Sequence, residues 1–209
     1  MSRTPPPELY QAASLLLRYP TRPLLGADRE IAGLMPRLPT PAREPIDRFL
    51  AHRRETSLID LEREYVETFD TRRRCTLNVT YYVYGDTRRR GVALLRLKRL
   101  YAAAGLVQDS GELPDHLPLM LEFAAFAEPG RGRHVLQENR IGIELLRLAL
   151  HADERSHAGV LDAACAVLPR LGLRETGAIE RLAADGPPDE QVGLEPFAPP
   201  EVMPVEARR

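Results

Sequence analysis

The sequence has few of the residue patterns that catalytic chemistry needs. Its 209 residues include only two cysteines, Cys75 and Cys165. They stand far apart and form no Cys-x-x-Cys pair, which excludes a thiol-based metal or redox motif and fits free thiols in a reducing compartment. The five histidines, His52, His116, His134, His151 and His157, contain no His-x-x-x-His pair and no glutamate placed to complete a zinc set. A glycine-rich phosphate loop, a nucleophile elbow and a recognisable Cys and His pairing are all missing. Ordinary catalysis has no visible machinery, and no metal or cofactor is expected.

Charge of one sign is also lacking. Lys plus Arg total 29 against 30 Asp plus Glu, a net charge of -1, so no overall field draws the chain to nucleic acid or to an anionic membrane. Long hydrophobic runs are absent too: Ala12 to Leu17 falls far short of the roughly 20 residues a membrane span requires. The first residues, Met1-Ser2-Arg3-Thr4-Pro5-Pro6-Pro7, meet Glu8 and Gln11 before any apolar run, so they lack the h-region of a secretory signal. A soluble, cytoplasmic protein is expected, which makes the glycosylation acceptor Asn78-Val79-Thr80 a coincidence.

What is present suits a packed core. Hydrophobic residues make up 44% and charged residues 28%, the balance of an ordinary globular chain. Apolar residues recur at three-to-four spacing in nearly every segment, so the reading is all-α. A first helix spans Glu8 to Arg18 and stops before Pro20. A second carries Ile31, Leu34, Met35 and Leu38 up to Pro39-Thr40-Pro41, and Ile46, Phe49 and Leu50 mark a short third.

Ser57 and Asp60 resemble a capping pair for a helix over 57–69, in which Leu58, Leu61, Tyr65, Val66 and Phe69 trace one face. Asp86 or Thr87 is placed to cap the next, with Val92, Leu94, Leu95, Leu97, Leu100 and Tyr101 on its apolar side, its arginines in water, and Gly105 as a stop. Asp115 before Leu117 and Pro118 reads as a helix start, with Leu119, Leu121, Phe123, Ala124 and Phe126 buried behind it and Pro129-Gly130 as its end. Val135 to Leu150 describes a central helix with Leu136, Ile143, Leu146, Leu148 and Leu150 inward. Ser156 is placed to cap a last long helix that closes at Pro169. Residues 1–184 thus form a helical domain. Residues 185–209, rich in proline and acids, are expected to be a mobile tail.

The stretch Cys75 to Tyr84 is β-branched and aromatic, which alone reads as a strand. No second strand offers to pair with it, so a loop or short helix packed on the bundle is expected. On either side lie Arg72-Arg73-Arg74 and Arg88-Arg89-Arg90. Arginines interleaved with tyrosines can grip phosphates and stack on bases, so a small helical nucleic-acid module is the alternative function. Against it stand Glu62, Glu64, Glu67, Asp70 and Asp86, close enough in sequence to neutralise those arginines. Pro114-Asp115-His116-Leu117-Pro118 reads as a rigid, polar, partly exposed corner, in which Asp115 either caps a helix or meets a ligand.

Taken together, these segments resemble a known family. They are Tyr65-Val66-Glu67-Thr68-Phe69-Asp70, Arg73-Arg74-Cys75, Thr80-Tyr81-Tyr82, Tyr84-Gly85-Asp86-Thr87-Arg88, Gly91, Leu94-Leu95-Arg96, and Glu112 to Pro118 followed by Leu121-Glu122-Phe123. In this order they resemble the NarJ family, the delta-subunit chaperones of respiratory nitrate reductase within the wider TorD/DmsD class. The likeness runs over about residues 8 to 170 and is densest from 57 to 126. Thr80-Tyr81-Tyr82 replaces the proline-containing loop of the TorD and DmsD branches.

The resemblance implies a single-domain helical bundle without enzymatic activity. It implies a chaperone that binds the N-terminal segment of the catalytic (alpha) subunit of nitrate reductase, delays membrane docking and promotes molybdenum cofactor insertion. Molybdenum cofactor biosynthesis proteins are further partners on this reading; nucleic acid and direct membrane insertion are not. The client-binding residues it carries over are Tyr65, Phe69, Asp115 and His116, with Leu117 and Glu122 as neighbours.

Overall fold

In the computed structural model, residues 7–106, 111–128 and 130–188 are described. They form a helical bundle around one continuous apolar core. Helix α1 (Pro7–Leu16) buries Leu9, Tyr10, Ala12, Ala13, Ser14 and Leu16, too broad an inward surface for an element at the edge. It packs between α8 (Leu117–Phe126) and α11 (Ala158–Ala166), and α11 in turn lies against α4 (Thr40–Glu55). Helix α10 (Arg140–Ala152) contacts α11, α12 (Leu173–Asp185) and the short α6 (Tyr81–Tyr84). Its buried Arg140 and Glu144 pair at 2.5 Å, and Arg147 joins the same carboxylate at 2.6 Å.

Among the described residues there is no strand, only a single antiparallel bridge between Asn78 and His116. The Leu77 carbonyl accepts from the Leu117 N–H at 2.9 Å, and the Asp115 carbonyl from Val79 at 3.1 Å. The β-prone stretch therefore lays one extended segment on the start of α8 and then turns into α6. Here α10 approaches so closely that Gly142 has no room for a Cβ beside the Val79 carbonyl.

Several boundaries differ from the sequence reading. The expected short third helix is the 16-residue α4. Pro41 sits in its first turn, where a missing N–H costs nothing, and Pro45 forfeits a single bond that packing on α11 offsets. The expected helix from Val135 to Leu150 is two, α9 (Arg131–Glu138) and α10. Between them the Asn139 side chain donates to the Val135 carbonyl at 2.9 Å, a local bond that competes with helix continuation. The helix ending near Pro169 is not the last, because α12 follows. Its stripe is sparse, with Ile179 buried and Leu173 94% exposed.

Small elements α2 (Arg22–Gly26) and α3 (Asp28–Leu34) fill the link from α1 to α4. Helix α5 (Leu58–Tyr65) starts with the expected Ser57 cap, its side chain accepting from the Asp60 N–H, and then widens into a π-turn over Val66–Asp70.

Other expected caps hold only in part. Thr87 is the N-cap residue of α7 (Arg88–Ala103), one of the two expected, but its side chain makes no cap bond, and Asp86 pairs with Arg90 at 2.8 Å. Ser156 donates to Glu64 at 2.5 Å instead of capping α11. Gly105, at φ 76, stops α7 as expected. Phe126 and Leu148 are exposed rather than inward, as are Val92 and Leu95 on α7. Arg90 is largely buried rather than in water. The expected mobile tail lies outside the described residues from 189 onward.

Candidate functional site

Two of the six candidate residues, Tyr65 and Glu122, make direct contacts at the C-terminal end of α1. The last carbonyls of a helix lack intrahelical partners, and the Tyr65 hydroxyl donates to one of them, that of Leu17, at 3.3 Å. Tyr65 packs against Phe69 at 4.8 Å with the rings tilted and meets Tyr19 edge-on at 5.4 Å. Burial, reinforced by the charges of Asp70 and Glu112, raises the Tyr65 phenol pKa and keeps it protonated. Tyr65 and Phe69 are both 8% exposed and belong to the core, whereas Tyr19 is 42% exposed.

On the other side of α1, two contacts four residues apart lock it to α8. Ser14 donates to the Pro118 carbonyl at 2.7 Å, and Arg18 meets Glu122 at 2.5 Å. Ser14 lies on α1 and Arg18 two residues past its end, while Pro118 and Glu122 are one turn apart on α8. Both charged side chains remain about 40% exposed.

Asp115 is fully buried, which corrects the expectation of a partly exposed corner at this residue. It also does not cap α8, whose N-cap is His116. Its carboxylate points back into the bundle and accepts from Asn78 Nδ2 at 2.9 Å, from the Thr80 N–H at 3.3 Å and from the Thr80 hydroxyl at 2.5 Å. Arg90 comes within 3.5 Å. A buried carboxylate persists only when so satisfied. Leu117 is likewise in the core, at 1% exposure.

His116 is half-buried. Burial lowers its pKa below the ordinary value, against the raising effect of Glu112 and Asp115, and Arg18 lowers it further. His116, Glu122, Arg18 and Tyr19 are thus the accessible residues of this region, whereas Tyr65, Phe69, Asp115 and Leu117 are buried. The sequence reading missed Arg18 and Tyr19. Their signal was position, at the end of α1 just before Pro20.

Behind the cluster lies His157, also missed. Its ring packs at 4.9 Å on both Phe49 and Phe69, and its Nδ1 is buried without a hydrogen-bond partner among the described residues. Burial lowers its pKa to about 4, opposed by the neighbouring Glu64. Glu64 holds His52 at 2.7 Å and Ser156 at 2.5 Å. The carboxylate stands between hydroxyl and imidazole, accepting from Ser156 on one oxygen and meeting His52 on the other. Among the described residues no group of three or more His, Cys, Asp or Glu is placed to hold a metal ion.

Three members of the arginine clusters, Arg72, Arg74 and Arg90, are engaged in ion pairs. Arg72 meets Asp153 at 3.0 Å and Arg74 pairs with the same carboxylate, while Arg90 bridges Asp86 and Asp115. Of the acids expected to neutralise them, Asp86 does so. Asp153, 81 residues from Arg72 in the chain, serves Arg72 and Arg74.

Residues 35–160 match the family described as nitrate reductase delta subunit. The chain is 35% identical over 164 residues to the nitrate reductase-like protein NarX of Mycobacterium tuberculosis (strain H37Rv), covering 78% of this chain and 25% of NarX. It is 31% identical over 152 residues to the nitrate reductase molybdenum cofactor assembly chaperone NarJ of Escherichia coli (strain K12), covering 71% of this chain and 64% of NarJ. The chain therefore spans a quarter of the first relative and somewhat under two thirds of the second. A solved structure of a candidate redox enzyme maturation protein from Archaeoglobus fulgidus superposes with a TM-score of 0.57 at 22% identity, covering 75% of this chain and 90% of that one. That likeness shows a shared helical fold.

Proposed function

The chain belongs to the nitrate reductase delta subunit family, and from that membership we propose that it is a non-catalytic assembly chaperone for a nitrate reductase. Its client is the N-terminal segment of the catalytic subunit, held in the cytoplasm before membrane docking and during molybdenum cofactor insertion. The observation that carries this reading is that the family match, residues 35–160, contains all six candidate residues. Among the described residues no helix is long and apolar enough to cross a membrane.

Short amphipathic segments bind helical surfaces through a few apolar anchors, with polar groups fixing orientation. The surface at the end of α1 offers both. Tyr19 supplies an exposed ring backed by Tyr65. Arg18 and Glu122 offer a partly hydrated pair that a client charge can exchange into, and His116 adds a neutral imidazole. Phe69 packs against Tyr65 in the core, and the buried Asp115 and Leu117 flank His116 in the chain. A client covered here is denied its membrane anchor until the cofactor is in place.

Calorimetric titration with a synthetic peptide of the client N-terminus tests this. Wild type binds with micromolar or better affinity, and Tyr19→Ser together with Glu122→Gln weakens binding about ten-fold or more. A peptide that fails to bind, or that binds the double variant equally well, removes this surface from the account. Co-purification of the full chain with the catalytic subunit, independent of that surface, tests the chaperone role itself.

A further inference from the structure

Helix α7 carries an exposed stripe that the bundle does not cover. Val92 is 70% and Leu95 48% exposed. Beside them runs a groove of roughly 330 Å³ whose apolar floor includes Tyr84, Leu97 and Leu100, with Arg89 and Arg96 at its rim. At about 100° per residue, Arg89, Val92, Arg96 and Arg99 share one sector of the helix. Arg96 pairs with Glu138 at 2.5 Å; the face is otherwise rich in cations.

The last described residue, Pro188, lies beside the neighbour of one groove residue, Tyr84. The Pro188 carbonyl lies against Gly85, next to Tyr84, so closely that a Cβ at Gly85 has no room. Gly85 also adopts φ 58, a backbone conformation that suits glycine. Residues 189–209 continue from that point. They carry Asp189, Glu190, Glu195, Glu201 and Glu206, with Arg208 and Arg209 only at the end, and they intersperse Val192, Leu194 and Phe197.

We propose that the α7 groove is the seat of this chain's own acidic, apolar segment 190–197, which shields it from other partners. Charge and apolar content match in kind: carboxylates face the arginine rim, and Leu194 and Phe197 meet the floor. Reach is sufficient, because Leu194 lies six residues past Pro188, up to ~20 Å in extended chain, while Arg89 to Leu100 spans ~16 Å of helix. A partner seeking α7 must displace a covalently tethered competitor, whose effective concentration is high. The contact is intramolecular and holds whatever the client is.

The test uses the full chain and a fluorescent peptide of residues 189–209. A full-length variant carrying Leu194→Ser and Phe197→Ser, whose own segment no longer seats, binds the peptide about ten-fold or more tightly than wild type does. Adding Val92→Glu, at a position already exposed, abolishes that binding without changing the thermal midpoint. Raising salt from about 50 to about 300 mM weakens it. The proposal is overturned if the unseated variant does not bind the peptide, if both chains bind it equally, or if Val92→Glu has no effect. A dimer in wild type that dissociates on Leu194→Ser and Phe197→Ser places the segment on a second copy and overturns the intramolecular form.

Discussion

Asp115 and Thr80, 35 residues apart in the chain, are joined twice: one carboxylate oxygen of Asp115 accepts from both the backbone N–H and the hydroxyl of Thr80. The aspartate thereby fastens the loop before α6 to the start of α8. Neither partner has access to solvent, with Asp115 at 0% and Thr80 at 1% exposure.

Removing the carboxylate strands several donors at once. Asp115→Ala is expected to cost roughly 3 to 5 kcal/mol, the usual penalty for breaking a buried charged network from one side. Urea unfolding measures it, and a loss under about 1 kcal/mol contradicts the assignment of Asp115 as a structural anchor.

His157 makes the bundle acid-sensitive. Its folded pKa is lowered to about 4 from 6.5, so the unfolded chain takes up the proton first as pH falls. The stability contributed by the neutral ring is complete above pH 6.5 and declines between there and about pH 4, by roughly 3 kcal/mol in all. His157→Phe, a ring of similar size among Phe49, Tyr65 and Phe69, flattens that part of the profile. A variant as acid-sensitive as wild type assigns the effect to other groups.

For His116 the sign is the same and the consequence functional. Because burial lowers its pKa, the imidazole is neutral above pH 6.5. Client-peptide affinity is expected to hold level from pH 8 to 6.5 and to change only below. Calorimetry in that range decides it: an affinity change between pH 8 and 7 that vanishes in His116→Ala is incompatible with the lowered value.

The Arg18 and Glu122 pair separates stability from binding. Half-exposed ion pairs contribute at most about 1 kcal/mol, so Glu122→Gln leaves the thermal midpoint within a few degrees. Peptide affinity is expected to fall several-fold. Parallel loss of both in the same variant assigns the pair a purely structural role.

Gly142 tests the packing of α10. A methyl there collides with the Val79 carbonyl, and Gly142→Ala is expected to destabilise the fold by about 2 kcal/mol or more, despite the better helix propensity of alanine. Denaturant midpoints report the sign directly.

The helical class and the main stripes were legible because burial leaves a period in the sequence. Leu9 to Leu17 and Val160 to Leu168 read correctly for that reason. Elements that bury little left no such trace, which is why α12, resting on Ile179, went unseen. Helix α7 misled in the opposite direction, since Val92 and Leu95 look like core residues yet face outward. The inward turn of Asp115 was illegible because its partners, Asn78, Thr80 and Arg90, come from a distant segment, and local motifs suggest only a cap. The arginine runs were ambiguous for the same reason: the partner of Arg72 and Arg74 is Asp153, which no local pattern reveals.

The solitary bridge between Asn78 and His116 does not hold its two segments alone: the Asp115 carboxylate grips Asn78 and Thr80 beside it. The backbone that carries the His116 imidazole is thereby pinned to the same short stretch, at Val79, against which Gly142 of α10 is seated. Surface and centre of the bundle are separated there by a single extended segment of chain.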